Sequence, residues 1–286
     1  SNRRALGSAL KSYYALKRQQ VSDKPDDWIY HKFLRHEGKL RKFSELLNDR
    51  FNLVAPELPL LIRELAGTKL ASDTTFDTTR RLFNVYFGQQ CAALYDSLVA
   101  SSLLSTRIVS MEYPGWDTHV SQRVRLERNF SDLFGIGRGL DSLTSSFADT
   151  NSSWINGVGD INNNVVYMFT TDFGRQLKAN GSAGTDHGRG NYVILVGNSI
   201  RGGVYGEMFP KSEIADLGNG SSKFEKQGAD IQGLTSIERI FALASDWVQP
   251  GTGKIVMPNT VKNNLNTYPD GPALESGVDL TNLFSG

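Results

Sequence analysis

Asn164-Val165-Val166-Tyr167-Met168-Phe169-Thr170-Thr171 is the stretch on which the fold turns. Its apolar residues run nearly without interruption, which suits a strand buried on both faces. Working outward, Thr106 to Tyr113 is β-rich and stops at Pro114-Gly115. Downstream, Tyr192 to Gly197 reads as a third strand and Gly203 to Phe209 as a shorter fourth. Helical spacings lie between and beyond them. Residues 118–149 set Val120, Val124, Leu126, Phe130, Leu133, Phe134, Leu140 and Leu143 on one face, and Ser236 to Val248 carries Ile237, Ile240, Phe241, Leu243 and Trp247. Strands alternating with helices imply an α/β fold, a mostly parallel sheet flanked by helices.

The first third has another texture. Residues 3 to about 104 read as helical. Asp26-Asp27-Trp28 caps a helix through Ile29, Phe33, Leu34 and Leu40, Pro56 and Pro59 mark a break, and Asp77 to Ser102 spaces Leu82, Val85, Tyr86, Cys91, Leu94, Leu98 and Val99 by three and four. The expected organisation is a mainly helical region over 1–104, a cap or a flank of the same domain, then an α/β core over 105–286. Its tail from Pro250 is rich in Gly, Pro and Asn.

With 286 residues, 39% hydrophobic and 21% charged, the chain is long and apolar enough for a sizeable core. A net charge of +1 supplies no bulk electrostatic reason to bind nucleic acid. No run approaches the ~18 apolar residues of a membrane span, and no signal peptide is visible. The single cysteine, Cys91, excludes an intramolecular disulfide and a zinc site built on cysteines, and reads as a small buried helix residue.

Candidate chemistry gathers around two of the four histidines. Gly115-Trp116-Asp117-Thr118-His119 and Gly184-Thr185-Asp186-His187-Gly188 each set an imidazole beside a carboxylate in a glycine-flanked segment, and Thr171-Asp172-Phe173-Gly174-Arg175 lies between them. Asp117, His119 and Asp172 fall at the carboxyl ends of expected strands, where open α/β sheets bind ligands. Imidazole with carboxylate suits a divalent metal: zinc first, with manganese, iron or calcium as alternatives. Arg175 is placed to hold an anion against that metal, and His187 is either a ligand or a general acid. Structural readings stand beside these. Asp117 or Thr118 could cap a helix, Asp172 could pair with Arg175, and Asp186-His187 could be an ordinary hydrogen-bonded pair. His31 and His36, five apart on a helix, share no face.

Several look-alikes carry nothing. Gly135-Ile136-Gly137-Arg138-Gly139 follows a helix pattern rather than a strand, Gly251-Thr252-Gly253-Lys254 lacks phosphate-loop spacing, and the N-x-Ser patterns at Asn129, Asn151, Asn180 and Asn219 are frequent by chance. Of the large aromatics, only Trp116 stands beside the proposed site.

The three segments at 115–119, 171–175 with Asn180, and 184–188, followed by Gly197 to Gly206, resemble the bacterial domain-of-unknown-function 1501 family over about residues 105–210. That family is grouped with sulfatases and alkaline phosphatases. The resemblance implies a parallel sheet with a metal site at its strand ends. Asp117 and His119 would hold one metal, Asp172 would serve a second or bridge, and His187 with Asp186 would complete the set. It implies a metal-dependent hydrolase of phosphate or sulfate esters. The alternative is a non-catalytic cell-envelope binding or assembly protein on the same fold. Twin-arginine export in the family implies a periplasmic or envelope location, with an anionic small molecule or envelope polymer as partner. The chain departs from the pattern in three ways: it starts after, or lacks, the family's preceding half; it has no Cys-x-Pro-x-Arg sulfatase nucleophile; and Phe173 stands where the superfamily more usually has histidine.

Overall fold

A computed structural model of the chain describes residues 2–22, 24–25, 28–54, 58–99, 104–148, 161–206, 230–231, 235–258, 280 and 282–284. The chain packs as two units, one of residues 1–57 with 102–105 and the other of 58–101 with 106–286.

In the first unit, α1 (Asn2–Gln20) and α2 (Ile29–Val54) pack against one another. Arg18 reaches across to the Glu37 carboxylate at 2.8 Å and to the Leu34 carbonyl at 3.3 Å. Val21 and Leu34 are buried, and Tyr14 stands beside Phe33. The Asp26-Asp27 cap lies outside the described residues.

The main core of the second unit is built on α3 (Leu60–Ala66), α4 (Val85–Val99), α5 (Gln122–Phe134) and α6 (Gly139–Ala148). Phe87, Cys91, Leu94 and Tyr95 line one face of α4 and join Ile62, Leu65, Leu82, Leu133, Leu143, Phe147 and Ile161 in the main core. Each large apolar side chain buried this way contributes roughly 1.5–3 kcal/mol. The expected single helix over 118–149 is broken at Gly135–Arg138. Gly137 sits at φ +69°, its N–H donating to the Asp141 carboxylate at 2.7 Å, and a Cβ on Gly139 would stand 2.7 Å from the Asp132 carbonyl oxygen. The glycine-rich run is therefore the turn between α5 and α6.

The expected mostly parallel sheet is not what forms. Among the described residues there are two antiparallel two-stranded sheets. β1 (Tyr167–Phe169) pairs with β4 (Ile194–Val196) in the register Tyr167↔Val196, Met168↔Leu195, Phe169↔Ile194. β2 (Gly174–Arg175) pairs with β3 (His187–Gly188), Gly174 opposite Gly188 and Arg175 opposite His187. The two sheets are nested storeys of one ribbon. Five residue steps separate Phe169 from Gly174, but six separate Gly188 from Ile194, so the storeys are out of step by one residue. The Asn191 side-chain amide bridges the gap by donating to the Thr171 carbonyl at 2.8 Å.

The physical reason lies in the connections. Parallel neighbours need a crossover of a dozen or more residues, usually a helix. Among the described residues, the chain between β1 and β4 holds no helix and turns back on itself through β2 and β3. The apolar run at 164–171 is covered on two faces as predicted, but by two cores. Val165, Tyr167 and Phe169 pack on the main core, while Met168, Val193 and Leu195 pack on a second one with Ile240 and Leu243 of α7 (Ile237–Val248), Leu280, Leu283 and Phe284. Thr106 to Tyr113 is not assigned to a strand. Part of its edge is met by a side chain instead, the Gln90 amide donating to the Glu112 carbonyl and accepting from its N–H, each at 2.7 Å. Gly203–Gly206 form no strand, and residues 207–209 lie outside the described residues. A short α8 (Gly253–Val256) follows α7 in the glycine-rich tail. No helix among the described residues is long and apolar enough to cross a membrane.

Candidate metal centre

Three segments of the second unit meet at the tip of the ribbon. The first is the stretch that ends at His119. Trp116 anchors it edge-on to Phe130 and Tyr113, with ring centroids at 5.1 and 6.0 Å, and packs on the main core. Thr118 is fully buried, while its neighbours Asp117 and His119 are exposed. Asp117 and Thr118 do not cap a helix, since α5 begins only at Gln122 with Ser121 as its N-cap.

The second and third segments are β2 and β3. Residues directly opposite in a ladder project from the same face, so the register sets Arg175 beside His187. Glycine is required at the other pair: a Cβ on Gly174 would overlap the Gly190 carbonyl oxygen at 1.6 Å, and one on Gly188 would lie 2.7 Å from the Arg175 carbonyl carbon. The loop before β3 is tied to the His119 segment by main chain, Ser121 N–H to Ser182 O at 3.2 Å and Gln122 N–H to Ala183 O at 3.0 Å.

The result is a tight triangle. Asp117 Oδ1 lies 3.0 Å from His119 Nε2 and 3.0 Å from His187 Nε2, and the two Nε2 atoms are 3.1 Å apart. These three residues are a group that could hold a metal ion. Donors about 2.1 Å from one ion stand roughly 3.0 Å apart in octahedral and 3.4 Å apart in tetrahedral geometry, so the spacing suits a shared cation. Their side chains are about half exposed (54%, 45% and 50%), leaving one side of the triangle open.

Each corner is braced. His119 Nδ1 stands 3.2 Å from Asp186 Oδ1. A proton on Nδ1, donated to that carboxylate, would leave Nε2 to offer its lone pair to a metal in the triangle. A carboxylate behind an imidazole is the usual second partner of a metal-bound histidine. Phe173 stacks on the His187 ring, centroids 3.9 Å apart. Arg175 donates from Nη1 to Asp117 Oδ1 at 2.8 Å, from Nε to Thr185 Oγ1 at 3.0 Å and from Nη2 to the Thr185 carbonyl, and Thr185 Oγ1 donates to Gln122 Oε1 at 2.8 Å. Hydrogen bonds from His187 and then Arg175 hold the Asp117 carboxyl below its usual range, as an anionic ligand requires.

Of the residues singled out in the sequence, Asp117, His119 and His187 form the triangle, Asp186 stands behind His119, and Arg175 braces Asp117. Asp172 is exposed and outside the triangle, and Arg175 pairs with Asp117 rather than with it. Sequence reasoning assigned no role to Thr185, Gln122 or Phe173. Thr185 and Phe173 lie inside the quoted motifs, so proximity to the histidines was the available signal; Gln122 had none.

Residues 74–215 match a family model described as "Protein of unknown function (DUF1501)". No curated protein and no solved structure matches the chain.

Proposed function

This chain belongs over residues 74–215 to the DUF1501 family, and from the cluster in that stretch we propose that it is a metal-dependent hydrolase of phosphate or sulfate esters. The observation that carries the reading is the triangle of Asp117, His119 and His187, with Asp186 behind one imidazole and one side open. Three protein ligands with a free position is the arrangement of catalytic rather than structural zinc sites. Two imidazoles and a carboxylate also suit manganese and iron, whereas calcium prefers oxygen ligands alone, so zinc is the first ion to test.

A divalent ion held there supplies Lewis acidity and lowers the pKa of a bound water. The chain's own residues do the rest. Asp186 keeps His119 in the tautomer that offers Nε2, Phe173 fixes the plane of His187, and Arg175 keeps Asp117 ionised. Arg175 spends three of its five N–H groups on Asp117 and Thr185, leaving two for an anionic ester. An envelope location, and an anionic small molecule or envelope polymer as partner, belong to the same proposal and rest on the family resemblance.

One observation favours the second reading, a non-catalytic envelope protein. The guanidinium is so engaged with Thr185 and Asp117 that it also serves as a purely structural brace. Elemental analysis of the purified protein beside His119→Ala and His187→Ala tests the metal. Near-stoichiometric zinc in the wild type, lost in both variants, is expected, followed by turnover of phosphate or sulfate monoesters or diesters. Metal without turnover supports the binding reading. No metal even after reloading sinks the proposal.

A further inference from the structure

Asn180 lies in the loop between β2 and β3, and its side chain uses its whole hydrogen-bonding capacity. Nδ2 donates to the His119 carbonyl at 2.9 Å and to Asp186 Oδ1 at 3.3 Å. Oδ1 accepts from the Ser182 and Gly184 N–H groups at 2.9 and 3.2 Å. A primary amide has two N–H donors and two acceptor lone pairs, and all four are matched. The orientation is fixed by the partners, since a flipped amide would set its oxygen against two acceptors and its NH₂ against two N–H groups. The oxygen shapes the loop that carries Gly184, Asp186 and His187. The nitrogen grips both the main chain of His119 and the carboxylate that orients its ring.

We propose that Asn180 is the positioning residue of the cluster, holding Asp186 and the His119 main chain together so that the His119 ring keeps Nδ1 against Asp186 and aims Nε2 at Asp117 and His187. This rests on the metal-site reading but makes a claim of its own, because the two Nδ2 bonds join Asp186 to the His119 main chain whether or not an ion is bound. Outer partners of this kind typically change metal affinity 10–100-fold when altered.

Asn180→Asp separates the two halves of the amide. It keeps an oxygen for Ser182 and Gly184 N–H but turns a carboxylate toward Asp186 Oδ1 and the His119 carbonyl. Asn180→Ala removes both halves without adding charge. The wild type is expected to take up one zinc ion, and both Asn180 variants to hold it more weakly. In competition with a chelator, their zinc affinity falls by about 10–100-fold, and the visible spectrum of the cobalt-loaded protein changes with it. If Asn180→Asp fails to fold, Asn180→Ala carries the test. A variant that folds, binds zinc like the wild type and gives the wild-type cobalt spectrum overturns the proposal. Wild-type protein that takes up no metal even after reloading overturns the metal reading itself, an outcome distinct from equal binding by wild type and variants.

Discussion

Gly184→Ala is the sharpest probe of the site because it touches no ligand atom. A Cβ at Gly184 would lie 2.2 Å from both the carbonyl carbon and the carbonyl oxygen of His119, and 2.6 Å from the Thr118 carbonyl oxygen. All three are main-chain atoms, so no side-chain rotation relieves the overlap. Restoring van der Waals contact needs a displacement of about 1 Å, and overpacking of this kind costs about 1–3 kcal/mol. Glycine to alanine at a compatible backbone stabilises by about 0.4–1 kcal/mol through the unfolded chain, so the clash decides the sign. Moving His119 by about 1 Å takes its Nδ1, now 3.2 Å from Asp186, beyond hydrogen-bond reach and opens the triangle. Zinc affinity is expected to drop by about 10–100-fold, as when an outer partner is lost. Gly181 is the control, since a Cβ there meets nothing within 4 Å. Zinc titration against a chelator, with thermal melting of both variants, reads the outcome. If Gly184→Ala binds zinc as tightly as Gly181→Ala and melts no lower, the close approach of the loop to His119 is not what aligns the cluster.

Two further predictions concern the core. Burial pushes the Cys91 thiol from its ordinary 9.0 up to about 12. Native protein at pH 8 should resist iodoacetamide and react once unfolded. Because the unfolded thiol ionises first, the stability tied to this group is complete below pH 9 and is lost as pH rises toward 12, which alkaline melting curves compared with Cys91→Ala would show. Asp132 is fully buried and accepts from the Tyr113 hydroxyl at 2.7 Å and the Asn84 N–H at 3.3 Å. Tyr113→Phe removes one of these donors and is expected to lower stability by about 1–3 kcal/mol in denaturant melts. A change within error would mean that Asp132 finds its partners elsewhere.

Helix periodicity was the most legible part of the sequence. The apolar spacing read over Asp77–Ser102 and Ser236–Val248 is a property of each helix alone, and α-helices form at Val85–Val99, after a separate 3-10 turn at Thr78–Arg80, and at Ile237–Val248. Strand pairing is a property of two segments and the link between them. Tyr167–Phe169 reads as a strand from its composition, but its antiparallel direction follows from the 24 residues that separate it from Ile194, which local pattern does not disclose. Thr106 to Tyr113 shows the same limit: β-prone residues signal extended backbone but not whether a strand or the Gln90 amide satisfies it. At the site, residue type pointed to the histidine and carboxylate segments. Which carboxylate stands where is set by a one-residue difference in projection: Asp117 meets Nε2 of His119 and Asp186 meets Nδ1, while Asp172 faces solvent.

The two-storey ribbon has a consequence for how the molecule opens. Its lower storey is wedged between two cores, while its upper storey is a two-residue ladder with a loop at the end. Amide exchange should therefore begin at residues 176–186 and reach β1 and β4 last. The tip can breathe while the base stays shut, so an ion could enter or leave through a local opening far cheaper than unfolding. Once seated, it would act as a clasp on the end of the ribbon, and the retardation of exchange it caused would be confined to that end.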